Sequence, residues 1–304
     1  MASTRTFTVS APASSGNLGP GFDVFAMALE LRNELRVSAG TGNVDVRGEG
    51  ADALPTDATN LVVRALETTA GSTLAELGID LRCTNRIPLA RGLGSSTAAA
   101  ACGIIAAWEL KDTDWDDDAL ELALTTMDGH PDNAAACAYG GIVLCHDRVA
   151  VGDDPAELDV IPLGVADWIA PLLVIPDREL VTAESRAALP TSYAREDVVR
   201  AIGSAALMSA GLVGGHVELL EDALGCDVIH EPHRAALVPE LAEVRDALAD
   251  TSALGATLSG AGPTVLVWCQ PDTVVQAVGS LAIDFPHHRV EAIPMAAEGA
   301  RVDR

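Results

Sequence analysis

The sequence predicts an α+β protein, and three observations lead there. Strand-like and helix-like segments follow one another in mixed order instead of strict alternation, which disfavours a doubly wound parallel sheet. Hydrophobic residues make up 49% of the chain and charged residues 21%, the balance of a polypeptide that folds around a core. The length of 304 residues suits one large domain or two closely packed ones. Because only 3% of the residues are aromatic, that core is built mainly from Ala, Val, Leu and Ile.

Taken in order, Thr6 to Ala11 alternates as a strand does, and from Pro12 a Gly/Pro/Ser-rich stretch to Gly21 reads as a long turn. Glu34 to Ser38 and Val44 to Arg47 read as short strands. Asn60 to Thr69 has helical periodicity, and Ile79 to Thr84 is strand-like. A loop then leads into Ser95 to Trp108, an Ala-dense helix able to pack closely on a sheet. Asp116 to Met127 is a second helix, whose acidic first turn suits the positive end of its dipole. Beyond a Gly-His-Pro-Asp-Asn turn, Gly141 to Cys145 and Ala170 to Ile175 read as strands. A more helical half follows: Glu196 to Leu212, His216 to Leu224 and Pro239 to Ala249. Gly255 to Cys269 reads as strand, glycine turn, strand, and Pro271 to Ile283 as a closing helix. The acidic, turn-rich stretch from Gly152 to Asp167 is the expected boundary, dividing residues 1–155 from 156–304.

A formal net charge of −25 argues against a nucleic-acid partner, because neutralising phosphates needs clustered Lys and Arg. It disfavours an anionic membrane surface for the same reason. Lys111 is the only lysine, and runs such as Asp112 to Asp118 look like the surface of a protein that works in concentrated salt, which screens self-repulsion. The six cysteines have no metal-binding spacing, so buried free thiols are expected. The N-terminus lacks the apolar core of a signal peptide, and no uninterrupted apolar run reaches membrane-spanning length. The expectation is a soluble cytoplasmic protein.

The chemistry concentrates in three glycine-rich segments. Pro88-Leu89-Ala90-Arg91-Gly92-Leu93-Gly94-Ser95-Ser96-Thr97 is a glycine-serine loop feeding a helix. Gly92 and Gly94 let the backbone turn and approach a ligand. Ser95, Ser96 and Thr97 can cap the helix or present hydroxyls to an anion, and free N–H groups at the positive dipole end make a phosphate site without lysine. It lacks the Gly-Lys-Ser/Thr of a Walker loop, and an ordinary capped helix explains it equally well when read alone. The other two segments are Pro12 to Asp23 and Gly255 to Thr264.

Together and in this order, the three segments resemble the signature motifs of the GHMP kinases. The resemblance runs from Val9 to about Cys269. Asn17-Leu18-Gly19-Pro20-Gly21-Phe22-Asp23, Gly129-His130-Pro131-Asp132-Asn133, Thr191 to Asp197 and His230-Glu231-Pro232-His233-Arg234 look like the homoserine kinase branch. The resemblance implies a two-lobed fold, with an N-terminal lobe like domain 2 of ribosomal protein S5 (1–155, ATP-binding) and a C-terminal ferredoxin-like α/β sandwich (156–304). It implies ATP as co-substrate, Mg²⁺, and L-homoserine as acceptor, with a homodimer as the expected assembly and with shikimate, pantoate, mevalonate or sugar kinases and a non-catalytic binding protein as rivals.

By the same resemblance, Pro88 to Thr97, Gly260 and Gly262 hold ATP, and Ser96 and Glu121 are metal ligands. Asn17, Asp23, His130, Asp132, Asn133, Arg186 and Arg234 line the substrate pocket, with Asp132, Asn133 and Arg186 in catalytic roles. The residue chemistry agrees: a free amino acid needs an anion for its ammonium, which Asp23 can supply. It also needs forked donors for its carboxylate, which Arg186 and Arg234 can supply. Asn133 stands where mevalonate and galactose kinases are expected to carry an Asp base. For either Arg a surface ion pair is the alternative, for His130 a helix-entry role, and for Glu121 a solvated helix face.

Overall fold

The computed structural model describes residues 6–148, 157–164 and 166–303, leaving aside the side chains of Asp128, Asp147, Arg148, Glu157 and Asp250. The chain opens with β1 (Phe7–Gly16), β2 (Phe25–Ala39) and β3 (Val44–Gly48), followed by α1 (Leu61–Ala70), α2 (Leu74–Leu77) and β4 (Ile79–Asn85). Then come α3 (Ser95–Leu110), α4 (Asp117–Asp128), α5 (Pro131–Tyr139), β5 (Ile142–Arg148), β6 (Glu157–Gly164) and β7 (Ala170–Ile175). The second half adds α6 (Thr182–Ala187), α7 (Arg195–Gly214), α8 (Val217–Leu224), α9 (Glu231–Arg234) and α10 (Glu240–Ala247). It closes with β8 (Gly255–Leu258), β9 (Val265–Cys269), α11 (Val274–Asp284), β10 (Arg289–Ala292) and β11 (Arg301–Asp303).

Two sheets organise these elements. The first runs β11-β1-β2-β4-β3, with β5 on β2 and β6 on β5; the second is the antiparallel β10-β7-β9-β8. This is the α+β arrangement that the mixed element order predicts. The central β2 spans 15 residues, using Phe25 to Met27 against β5 and Glu34 to Ala39 against β4. Helix α3 lies in the first core, buried from Ala100 through Ala107; small side chains on every face let it contact α1, β1 and α4 together. The second sheet turns Leu172, Val174, Val265 and Val267 toward α10 and α11, and Leu173, Leu266 and Trp268 toward the larger core, the period-2 alternation of a sheet covered on both faces.

Several elements exceed their sequence expectations. The stretch from Pro12 to Gly16, expected as turn, continues β1; the pairing with β2 shifts register between Pro12 and Ala13, and such a bulge accommodates a proline that cannot donate to the ladder. Residues 25–29 show no alternation because β2 is buried on both faces there. The Gly-His-Pro-Asp-Asn segment is a helix entry: His130 is the cap residue and Pro131 opens α5, a position where a missing N–H costs nothing. The boundary expected at 155/156 lies outside the described residues, and strands β6 and β11 on its far side join the first sheet. Helix α7 is long and apolar enough to cross a membrane by composition alone, although Arg200 interrupts its apolar run; it packs against α8.

Candidate active site

The three glycine-rich segments meet. Gly92 and Gly94 have φ of 73° and 65°, and Ala90 lies at 52°, so the loop before α3 is wound in left-handed conformations that suit glycine. A Cβ on Gly92 would collide with the Ser259 carbonyl, and one on Gly94 with the Ser14 hydroxyl. The loop therefore lies directly against β1 and the turn after β8. Hydrogen bonds join the three: Ser14 N donates to Leu93 O at 3.1 Å and Gly260 N to Gly16 O at 3.0 Å. The Ser259 hydroxyl donates to Gly92 O at 2.8 Å. Helix α3 opens from this junction without a side-chain cap, and its positive dipole end suits an anion.

Beside the junction is a cavity of about 360 Å³ lined by Ala90 to Thr97, Asn17, Asp23, His130, Asp132, Asn133, Arg186, Arg234 and Gly260, with Leu180 to Ala183 and Ala261. Every residue expected in the substrate pocket thus faces the same space as the phosphate loop. Arg186, on α6, donates to Asp23 Oδ1 at 3.0 Å and reaches His130 Nδ1 at 2.8 Å, so acid and base of the pocket are paired with each other. Asn17 and Asp23 have φ of 70° and 55°, strained values for residues other than glycine. Asn17 is fixed there by donating to Gly260 O at 2.8 Å while accepting from Asp23 N at 3.1 Å.

At the head of α5, Asn133 accepts from the Ser14 hydroxyl at 2.7 Å and donates to Asp132 Oδ1 at 3.2 Å. That locks its carboxamide and assigns its orientation. Asp132 is buried; burial first, and the charge of Asp23 second, push its carboxyl above the ordinary aspartate range. Arg234 is also buried, donating from Nε to Ser185 O at 3.3 Å and from Nη1 to Gly260 O at 3.2 Å. Burial, then repulsion from Arg186, hold its pKa below that of a free guanidinium.

Some expected ligands stand elsewhere. Pro88, Leu89, Gly262 and Glu121 are absent from the cavity lining, and Glu121 is a buried side chain accepting from Thr125 at 2.5 Å. The Arg91 guanidinium is spent on carbonyl groups of Leu89, Pro176 and Asp177, tying the phosphate loop to the segment before α6. Leu89 lines a second cavity, of about 300 Å³, that shares Ser95 and Ser96 with the first. Its other walls include Leu54, Pro55, Leu61, Val62 and Ala99 with Asn60 and Asn85, an apolar slot with amide edges. No sequence pattern marks this slot; Asn60, expected only as the start of a helical stretch, caps α1 by accepting from Val62 N at 3.0 Å.

Comparison with known proteins agrees with this geometry. The profile of the GHMP kinases N terminal domain matches residues 60–141, and that of the GHMP kinases C terminal matches 205–287. The homoserine kinase of Deinococcus radiodurans is 41% identical over 271 residues, 86% of this chain and 84% of that protein. That of Clavibacter michiganensis is 40% identical over 273 residues, 88% and 84% of the two chains. The crystal structure of homoserine kinase from Cytophaga hutchinsonii superposes with a TM-score of 0.81 at 28% identity, covering 100% of this chain and 99% of that one.

Proposed function

This chain belongs to the GHMP kinases and, within them, to the homoserine kinases, and from that premise we propose that it transfers the γ-phosphoryl group of ATP to the side-chain hydroxyl of L-homoserine. The products are ADP and O-phospho-L-homoserine, on the way to threonine. The observation that supports this best is the Asp23–Arg186 pair beside Arg234 in the cavity that also holds the phosphate loop. The ammonium of a zwitterionic substrate replaces Arg186 at Asp23, and the freed guanidinium joins Arg234 on the carboxylate.

GHMP kinases use ATP as co-substrate. Its phosphates fit the positive dipole end of α3 beside the glycine loop, and its base fits the apolar slot that shares Ser95 and Ser96 with the cavity. Asn133, held by Ser14 and Asp132, orients the attacking hydroxyl, and His130 and Asn17 frame the same wall. Catalysis then rests on alignment and charge stabilisation. As the hydroxyl oxygen bonds to phosphorus, the bond to ADP breaks and the hydroxyl proton passes to the transferred phosphoryl group. Among the described residues no group of three His, Cys, Asp or Glu could hold a metal. Mg²⁺ bound to nucleotide needs only one or two protein oxygens; Ser96, which lines the cavity at the helix entry, would supply one, and Glu121, buried outside that lining, would reach the ion only by turning away from Thr125. When bound, the ion neutralises phosphate charge.

We assign the nucleotide lobe to residues 1–155 with the two later strands of its sheet, and the substrate lobe to the remainder. The acidic surface fits a cytoplasm rich in salt. Two copies of the chain pair through α7: Val199, Ile202 and Val213 are 63%, 66% and 71% exposed, and no acidic residue occurs from Val198 to His216 in a chain that is acidic elsewhere. An antiparallel pairing sets Arg195 and Arg200 over the negative end of the partner helix.

The decisive experiment is ADP release at high KCl with homoserine, mevalonate, galactose, shikimate and pantoate, each with and without Mg²⁺. Turnover of homoserine at least tenfold above the others, dependent on Mg²⁺, is expected. Preference for another acceptor, or no turnover at all, overturns the assignment.

A further inference from the structure

Behind the cavity, His230 is fully buried at the start of α9. Its Nε2 is 2.9 Å from Gly19 O, in the turn between β1 and β2, and its Nδ1 is 3.0 Å from Nη1 of Arg234. A carbonyl accepts only, so Nε2 carries the proton; a guanidinium donates only, so Nδ1 offers a lone pair. One neutral tautomer satisfies both neighbours, and an imidazolium would set two donors face to face. Other acidic groups do not alter this: Asp227 Oδ2 is 3.7 Å from Nε2, and the carboxylate already accepts from the backbone N–H groups of Ile229, His230 and Glu231. Burial also lowers the pKa of the ring, favouring the neutral form.

The ring fixes Arg234 in more than one direction. Phe22 stacks on His230, with centroids 5.3 Å apart, and the Arg234 guanidinium carbon is 5.5 Å from the Phe22 centroid. With Nε on Ser185 O and Nη1 shared between Gly260 O and His230, Nη2 is the guanidinium nitrogen without a protein acceptor among the described residues, on a side chain that lines the cavity. We propose that His230 is a positioning residue for substrate recognition: its Nδ1 fixes the roll of the Arg234 guanidinium so that Nη2 is presented to the carboxylate of the acceptor. Through Nε2 it sets the same guanidinium against the first glycine-rich turn, so that the carboxylate and ammonium subsites keep a constant separation. This rests on the homoserine reading above.

The test compares L-homoserine with 3-aminopropan-1-ol, the same amino alcohol without its carboxylate, on the full chain at high KCl. In His230→Gln the amide reaches the place of Nε2 and keeps the Gly19 contact, leaving Arg234 without its acceptor. In His230→Asn the carbonyl oxygen replaces Nδ1. Losing one hydrogen bond to a charged group predicts an increase of about 10- to 100-fold in the homoserine KM of His230→Gln. Its kcat, its KM for ATP and its activity on 3-aminopropan-1-ol should stay near those of the parent, and His230→Asn should recover most of the homoserine affinity. Equal losses on both substrates in both variants, or an unchanged homoserine KM in His230→Gln, overturn the proposal. Should His230→Gln fail to fold, ¹⁵N spectra of histidine-labelled parent protein decide: a neutral ring protonated at Nε2 supports it, and an Nδ1-protonated or charged ring refutes it. A parent protein inactive on homoserine would overturn the substrate assignment, while the ring spectra would still report the Arg234 contact.

Discussion

Gly16 ends β1 with its α-carbon against the head of α5, and the substitution Gly16→Ala tests whether alignment of Asn133 limits the reaction. An added Cβ would overlap Asp132 Oδ2 and stand 3.0 Å from Asn133 Nδ2, where ordinary contact begins at 3.4 Å. The carboxamide must yield by a few tenths of an ångström and the buried carboxylate by more. Ser14 holds Asn133 at 2.7 Å, and the open space beside both side chains is the cavity that they line, so either displacement intrudes on the acceptor's place. Displacing a reacting group by ~1 Å can cost ~10²-fold in rate. A shift of about half that to the full distance therefore predicts a kcat lower by roughly 10- to 100-fold, equivalent to ~1.4–2.7 kcal/mol of barrier. Overpacking also lowers stability by ~1–3 kcal/mol. Steady-state ADP release and thermal unfolding measured together separate the two effects, because a folded variant at 20 °C should keep its KM for ATP. A Gly16→Ala protein with the parent kcat would refute the alignment argument.

Other perturbations probe the remaining parts of the site. Arg234→Leu removes a charge-assisted clamp, so homoserine affinity should fall by at least ~10–100-fold while calorimetric ATP affinity is unchanged; normal turnover would sink the clamp. Asp132 has a folded pKa above its unfolded value, so the penalty of its buried charge is absent below about pH 4 and grows as pH rises through the folded value. Asp132→Asn should therefore raise Tm relative to the parent by an amount that increases from acid to neutral pH, even as activity falls; a pH-independent difference contradicts the shift. With a net charge of −25 and a screening length of ~3 Å in 1 M salt against ~10 Å in 0.1 M, dialysis out of KCl should unfold the chain. Unchanged circular dichroism in dilute buffer would remove the salt requirement. Finally, Ile202→Asp on the exposed face of α7 should shift sedimentation from dimer to monomer without altering the homoserine KM; a monomeric parent would end the pairing model.

Much of the local architecture was legible before any tertiary information. The helices expected from Asn60 to Thr69 and from Asp116 to Met127 form as α1 and α4, with Asn60 and Asp116 as their caps, because helical periodicity and capping depend on residues adjacent in the chain. The three glycine-rich segments announced both the phosphate loop and its neighbours, since only glycine suits the φ values and close approaches at Gly92 and Gly94. Strands buried on both faces, such as the first part of β2, were invisible because alternation reports one wet face and one dry one. The short returning strands β10 and β11 lacked signal for a different reason: three or four residues carry too little pattern to separate from loop.

What the sequence by itself determined is therefore the set of chemical groups: a lysine-free phosphate loop, one carboxylate and two guanidinium groups suited to an amino acid, and an amide in place of a base. Tertiary structure decided how they are used. Arg186 meets Asp23 across a separation of 163 residues, Arg91 is engaged by backbone carbonyls, and His230 is enclosed between a turn and an arginine that no local pattern connects. The physical reason is that hydrogen-bond partners and desolvation are properties of the packed interior, and the interior brings together residues whose positions along the chain bear no fixed relation to one another.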